Sequence, residues 1–426
     1  MTRTLALVDG EHYPSTVRDA LAELPHEFVG AFLVGGTEKL RAGADYGVPL
    51  VDDLEIALRE LEPELVLDLS DEPVLGPVAR FRLASLVLAA GIPYAGADFR
   101  FEPPHYASMD PSLPSIAVYA DGKRVGKTAV SSHLARTLAA GRDVVVVAMG
   151  RGGPETPEVI EEAPGVEELV ELSRRGRHAA SDHLEIAAIS GVVTIGCRRC
   201  GGGLAGAVAT SNVPGGIELA LERSPDLVVF DGSGAALPPV AAAKRLLVTS
   251  VFGDPQLVTG YLNAYRILLA DLVLITMAEE GTRHQELARA IREVKPDVPV
   301  IATSMQPRPL APVAGKRVAY FTTAQAESHE RLARWLGDVH GAEVVYVSGN
   351  LSDRSALAKE LDSVDADVYL TEIKAAGIDL VAETGLARGV EVVLAANELM
   401  PLPGQPELEP ELRALAEDAA AETVGT

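Results

Sequence analysis

The chain has 426 residues, with 37 lysines and arginines against 61 aspartates and glutamates, for a formal net charge of −24. That acid excess argues against nucleic acid and anionic membrane surfaces as partners, and no apolar stretch is long and uncharged enough to span a bilayer. The length exceeds one compact core, and a composition 47% hydrophobic but only 4% aromatic points to Ala/Val/Leu-built α/β layers in two or three domains.

Met1-Thr-Arg runs straight into the strand-like Thr4-Leu-Ala-Leu-Val8 with no signal-peptide pattern, which predicts a cytoplasmic protein. Short apolar runs at Leu5–Val8, Phe28–Val34 and Leu65–Leu69, with a helical stretch at Val78–Ala90, predict a small parallel, Rossmann-like α/β domain over residues 1–111. Its first strand is followed by Asp9-Gly-Glu-His-Tyr-Pro14, at the end where open α/β sheets bind ligands, so His12 is a candidate substrate contact. The Pro-rich segment from Glu102 to Pro114 marks the boundary.

A second unit, residues 112–312, opens with the run Ile116-Ala-Val-Tyr-Ala120, then Asp121-Gly-Lys-Arg-Val-Gly-Lys-Thr128, then a helical pattern. A strand feeding a Gly-rich turn that opens a helix aims several backbone N–H groups at one place, where an anion belongs. This predicts a P-loop NTPase domain, a mostly parallel sheet with helices on both faces. Gly122, Lys123, Arg124, Val125, Gly126, Lys127, Thr128 and Ala129 would bind the nucleotide, with Lys127 on the β/γ-phosphates and Thr128 on Mg²⁺. Counted back from Gly126, the place of the usual first glycine is held by Asp121.

The buried run Val144–Ala148 ends in Met149-Gly-Arg-Gly-Gly-Pro154, where Arg151 is a candidate phosphate contact or transition-state cation. The run Val192–Ile195 is followed by Gly196-Cys-Arg-Arg-Cys-Gly-Gly-Gly203, read as a loop. Two arginines among glycines make a second anion nest, so Arg198, Arg199, Gly201, Gly202 and Gly203 are candidate substrate ligands. Cys197 and Cys200 read as reduced cysteines in a tight turn, since zinc would need His178 or His183 to complete its ligands. Asp226-Leu-Val-Val-Phe-Asp231 closes an apolar strand on Asp231, the expected second Mg²⁺ residue. Later strands are expected at Arg245–Thr249, Leu272–Thr276 and Val298–Thr303, with the loop Met277-Ala-Glu-Glu-Gly281 placed to read base or ribose. No guanine-reading Asn-Lys-x-Asp motif follows, which favours ATP.

A third, Rossmann-like unit is expected over residues 313–403, with Lys374 either reaching into a shared cleft or lying on the surface. Residues 404–426 read as an acidic tail, frayed or a lone helix.

Over nearly its whole length the chain resembles the cyclic 2,3-diphosphoglycerate synthetase family, through Asp9-Gly-Glu-His-Tyr-Pro14, Gly122-Lys-Arg-Val-Gly-Lys-Thr128, Gly196-Cys-Arg-Arg-Cys-Gly-Gly-Gly203, Phe230-Asp-Gly-Ser-Gly234 and Thr276-Met-Ala-Glu-Glu280. The resemblance implies an ATP- and Mg²⁺-dependent ligase that closes 2,3-diphosphoglycerate through an internal phosphoanhydride and releases ADP and phosphate. Lys127, Arg151, Arg198 and Arg199 would carry catalysis on a small polyanionic substrate, and the chain leaves room for a homodimer. The alternatives are a P-loop kinase or ATP-activating ligase on another acid, such as a dethiobiotin-synthetase-like enzyme, and a ParA/MinD-like nucleotide switch. In the switch the signature lysine lies directly before the Gly pair, whereas Lys123 is shifted by one and the second nest has no role.

Overall fold

The structure is a computed structural model that describes residues 1–36, 39, 45–107, 109, 113–279 and 281–424. The first six strands are β1 (Thr2–Val8), β2 (His26–Leu33), β3 (Leu50–Val51), β4 (Leu65–Asp68), β5 (Tyr94–Ala95) and β6 (Arg100–Phe101). They form a sheet in the order β3-β2-β1-β4-β5-β6, parallel except for the β5–β6 pair. This is the expected Rossmann-like N-terminal unit, and its predicted boundary near residue 111 lies outside the described residues.

The remaining strands are β7 (Ser115–Ala120), β8 (Val144–Gly150), β9 (Glu158–Ile160), β10 (Thr194–Cys200), β11 (Thr210–Ser211), β12 (Leu227–Asp231), β13 (Lys244–Ser250), β14 (Leu272–Thr276), β15 (Val300–Pro309), β16 (Arg317–Phe321), β17 (Glu343–Ser348), β18 (Val368–Glu372) and β19 (Glu391–Pro401). They form one 13-stranded sheet in the order β11-β10-β8-β12-β7-β13-β14-β15-β19-β18-β16-β17, with β9 on the side of β10. β7, β8 and β12 are buried along their whole length, as both-face apolar runs must be in a parallel sheet covered by helices.

The C-terminal unit is therefore not a separate layer. β15 and β19 pair antiparallel from Thr303↔Pro401 to Pro309↔Ala395, fusing the two sheets. Because β18 and β16 run parallel to β19, this pairing reverses the whole C-terminal unit. Its strands bring their carboxyl ends back towards the carboxyl edge of the P-loop sheet.

The acidic tail is corrected from frayed or lone to packed. The Leu408–Val424 helix buries Leu408, Leu412, Leu415, Ala416 and Ala419 in the same cluster as Ile116, Val118, Leu134 and Leu138 of the P-loop strand and helix. Its acidic residues made it look solvated, but its leucines and alanines recur at helical spacing on one face. Among the described residues no helix is long and apolar enough to cross a membrane.

Candidate functional site

β7 ends at Ala120 and is followed by Asp121, whose carboxylate accepts from Thr249 Oγ1 at 2.6 Å at the end of β13. Burial raises the Asp121 carboxyl above its ordinary value, against the pull of that hydrogen bond. The place usually given to a glycine thus holds an acid that ties the loop to a neighbouring strand. On the other side Thr276 Oγ1 donates to the Val125 carbonyl at 2.7 Å. Arg124 and Gly126 take φ of 61° and 80°, and a Cβ on Gly126 would stand 3.0 Å from Met305 Sδ. Gly126 caps the Lys127–Ala139 helix. Among the described residues no backbone carbonyl accepts from the N–H groups of residues 122 to 129, which is the donor array that a phosphate chain needs.

Lys127 Nζ donates to Asp231 Oδ2 at 2.5 Å, and Ser131, one turn further along the helix, donates to Asp231 Oδ1. Asp231 is fully buried and Lys127 is 9% exposed. Burial pushes the Asp231 carboxyl above its ordinary value despite Lys127, and the nearby Asp182 charge adds to the rise. Thr128 sits half-buried in the same first turn. Lys123 packs on the next loop, its Cγ 3.3 Å from where a Cβ on Gly234 would lie.

The Cys-Arg-Arg-Cys segment is corrected from loop to strand. β10 runs to Cys200, pairing Arg198 with Gly150 of β8 and Arg199 with Ser211 of β11. Side chains alternate across a strand, so the two arginines leave on opposite faces, and cysteines three apart cannot converge in a turn. Cys197 is buried, its thiol pushed up to about 12 by burial, while Cys200 is exposed. His183 is buried against Gly196 and His178 lies against Gly152. Among the described residues no group of three metal-ligating side chains forms.

Arg199 reaches across to the Asp231 loop, donating from Nη2 to Ser233 O at 2.9 Å and Ser233 Oγ at 3.2 Å, and from Nη1 to Gly201 O. Its Nε is buried with no protein partner. Burial and then the charge of Arg151 lower its pKa. Arg198 is exposed, with its backbone N–H on Asn212 Oδ1 at 2.6 Å. Gly201, Gly202 and Gly203 are exposed, and the Gly203 N–H is spent on the Ala207 carbonyl. Thus Arg199 reaches the loop that follows Asp231, and Arg198 leaves β10 on the opposite face.

His12 stands at the end of β1, where its Nδ1 is 3.0 Å from Asp9 Oδ1. Burial works to raise the Asp9 carboxyl, but His12 and the N–H groups of Asp71 and Glu11 outweigh it and hold it below its ordinary value. These contacts lie within the N-terminal unit. In the loop expected to read the base, Glu279 accepts from the Met305 N–H at 2.9 Å and lies 3.5 Å from Arg331. Glu280 lies outside the described residues.

Sequence reading passed over Arg266, Asp182 and Glu185. Arg266 is 3% exposed and donates to Ala235 O at 2.7 and 3.0 Å, Leu204 O at 3.0 Å, Leu262 O at 3.1 Å and Asn263 Oδ1 at 3.1 Å. It braces the glycine loop after β10 against the loop after β12. Asp182 and Glu185 share one face of the Asp182–Ser190 helix, at i and i+3. The signal was present in Ser181-Asp-His-Leu-Glu185, a helix start flanked by histidines that drew the metal question instead.

Three family profiles match in series, each described as a cyclic 2,3-diphosphoglycerate synthetase domain: N-terminal over residues 3–102, P-loop over 115–304 and C-terminal over 309–398. The chain belongs to the cyclic 2,3-diphosphoglycerate synthetase family. Curated relatives named cyclic 2,3-diphosphoglycerate synthetase include one from Rubrobacter xylanophilus, 50% identical over 93% of this chain and 94% of the relative. Others come from Pyrococcus abyssi, 42% identical over 97% of this chain and 98% of the relative, and Methanothermus fervidus, 39% identical over 93% and 92%. Among solved structures, the "apo" form of LpxK from Aquifex aeolicus in complex with ATP is 16% identical over 72% of this chain and 88% of that one. Its TM-score is 0.40, a likeness too distant to bear on function.

Proposed function

We propose that the chain closes 2,3-diphosphoglycerate into its cyclic phosphoanhydride at the expense of ATP. Membership of the synthetase family supports this reading. The observation that carries it is Arg199, which donates to Ser233 two residues beyond Asp231 and so sets a second anion site beside the phosphate loop. A nucleotide switch has no use for that site.

In the proposed reaction the γ-phosphoryl group leaves the β-phosphate oxygen of ATP and bonds to an oxygen of one substrate phosphate. An oxygen of the second substrate phosphate then attacks the inner phosphorus of that anhydride and expels inorganic phosphate. The ring anhydride, ADP and phosphate are the products, and no water and no protein nucleophile enter the balance. The unpartnered N–H groups of residues 122 to 129 and the Lys127 ammonium hold the nucleotide phosphates. Arg199, with its orphaned buried Nε, and Arg151 hold the substrate phosphates close together, which their mutual repulsion otherwise opposes. The second step is intramolecular because both phosphates sit on one glycerate, and the shared anchor keeps them within reach of each other.

Mg²⁺, when bound, would neutralise phosphate charge, and Thr128 with the Asp231 carboxylate are the residues that would hold it. Asp231 is a fully buried acid whose Oδ2 is held by Lys127, so it would take up such an ion as Lys127 turns from the carboxylate to the nucleotide phosphates.

The test is ³¹P NMR on the protein with ATP, Mg²⁺ and 2,3-diphosphoglycerate, where the cyclic anhydride resonance is expected against a no-enzyme control. Arg199→Ala should raise the KM for the acid by roughly tenfold or more while ATP affinity stays within a few-fold, and Lys127→Ala should abolish turnover. ATP consumption with no cyclic product would sink the proposal.

A further inference from the structure

The reversal imposed by β15 and β19 sets two carboxyl edges against each other, and the C-terminal edge presents a cation. Lys374 lies two residues past β18, whose last residue Glu372 pairs with Ala395 of β19. Against it packs the Asp182–Ser190 helix of the P-loop unit, whose Leu184, Ala188 and Ile189 share a buried cluster with Ile373 and Ile378. Lys374 Nζ donates to both oxygens of Glu185, at 2.9 and 3.2 Å. The Glu185 side chain is 11% exposed, yet the Lys374 side chain is 41% exposed. The ion pair is thus closed on the acid's side and open on the lysine's side.

The ion pair stands one helical turn from Asp182, which approaches the site. Asp182, one turn before Glu185, acts electrostatically on Lys374, Glu185, Arg199 and Asp231 alike. Its Oδ2 would lie 3.0 Å from a Cβ on Gly150, at the root of the Arg151 loop. Behind Lys374, Glu372 is fixed by Thr322 Oγ1 at 2.7 Å, Thr323 Oγ1 at 3.0 Å and the Thr323 N–H at 3.2 Å. Its hydrogen bonds anchor the strand end from which Lys374 projects. The proposed substrate carries three anionic groups, two phosphates and a carboxylate, and Lys127, Arg151 and Arg199 are all supplied by the P-loop unit.

We propose that Lys374 is a specificity-determining substrate residue, the cation that the C-terminal unit supplies to the acid's anionic group farthest from the nucleotide, with Glu185 as the internal anion that holds it in place. This rests on the proposed ring-closing reaction. Glu185 competes with substrate for Lys374, so removing its charge strengthens binding of the acid. A purely structural bridge would leave substrate affinity alone.

Steady-state kinetics with ATP, Mg²⁺ and 2,3-diphosphoglycerate test this. Lys374→Met is expected to raise the KM for the acid about tenfold or more, with the KM for ATP within about twofold, and Lys374→Arg to restore most of the loss. Glu185→Gln is expected to lower the KM for the acid by about two- to fivefold. An unchanged acid KM in Lys374→Met, with only a lower melting temperature, overturns the inference and leaves the reaction standing. Should Lys374→Met fail to fold, the Glu185→Gln arm decides, and an acid KM that is unchanged or raised there overturns it. Absence of cyclic product from the unmodified protein removes the reaction and this inference together.

Discussion

The Lys127–Asp231 pair shows how burial and charge compete at one residue. A buried ion pair adds little net stability, but removing one partner strands the other, at roughly 3–5 kcal/mol. Lys127→Met should therefore destabilise the fold by about that amount near pH 8, because Asp231, 0% exposed, keeps only Ser131 and the loss of Lys127 raises its pKa further. The sign with pH follows from that rise. A carboxyl whose folded pKa lies above its unfolded value takes up a proton more readily in the folded state, so its contribution grows more favourable as pH falls through the folded pKa. The deficit of Lys127→Met against the unmodified chain should shrink between pH 8 and pH 5, read from urea midpoints at both. A deficit independent of pH would mean that the carboxyl is not the stranded group.

At the scale of elements, the parts legible in the sequence are those with local signals. β14 was expected at its observed bounds, and β7, β8, β12 and β13 within one or two residues at either end. A Gly-rich turn between a buried strand and a helix identified Lys127 for the same reason. What escaped depended on partners distant in the chain. β15 was expected to stop at Thr303, yet it continues through Pro307 and Pro309, and β19 runs on to Pro401. Proline argues against a strand interior, and only the antiparallel pairing of these two extensions overrides it. The same cause hid the facing carboxyl edges, and with them the roles of Asp182 and Glu185. Arg266 was illegible because its partners are mostly backbone carbonyls, which carry no sequence signature. Its replacement by Met should leave the carbonyls of Leu204, Ala235 and Leu262 without this donor, lowering stability by about 2–4 kcal/mol. Because two of those carbonyls belong to the loops that follow Arg199 and Asp231, the KM for the acid should rise by more than the KM for ATP. Equal changes in both would show that Arg266 supports the fold without positioning either loop.

At the scale of the whole molecule, the P-loop helix ties its own sheet to β19 and to the last helix of the chain. It packs on the Leu408–Val424 helix, and Arg136 donates to Glu398 of β19 at 2.7 Å, with Arg308 of β15 3.6 Å from the same carboxylate. His133 lies in that junction, facing Arg136, Arg308, Glu398 and Glu409. Burial and then Arg136 lower its pKa from 6.5 to about 4. His183, under Gly196 at the other end of the site, is lowered to about 4 by burial, with Glu158 and Asp182 pulling the other way. Both are neutral in the fold and take up protons on unfolding below pH 6.5. Stability should therefore fall as pH drops from about 6.5 to about 4, by about 3 kcal/mol for each histidine over the full window and about 2 kcal/mol each by pH 5. Asp121, Asp231 and Glu185, all raised by burial, oppose this, but only as pH nears their folded values. Urea unfolding at pH 7 and pH 5 should show the loss in the unmodified chain. His133→Asn and His183→Asn, compared by slope with pH rather than by absolute midpoint, should each remove about half of it. A stability flat between pH 7 and pH 5 would mean that these histidines reach solvent or a counter-charge in the fold, and that the junction between the P-loop helix and β19 is open to water.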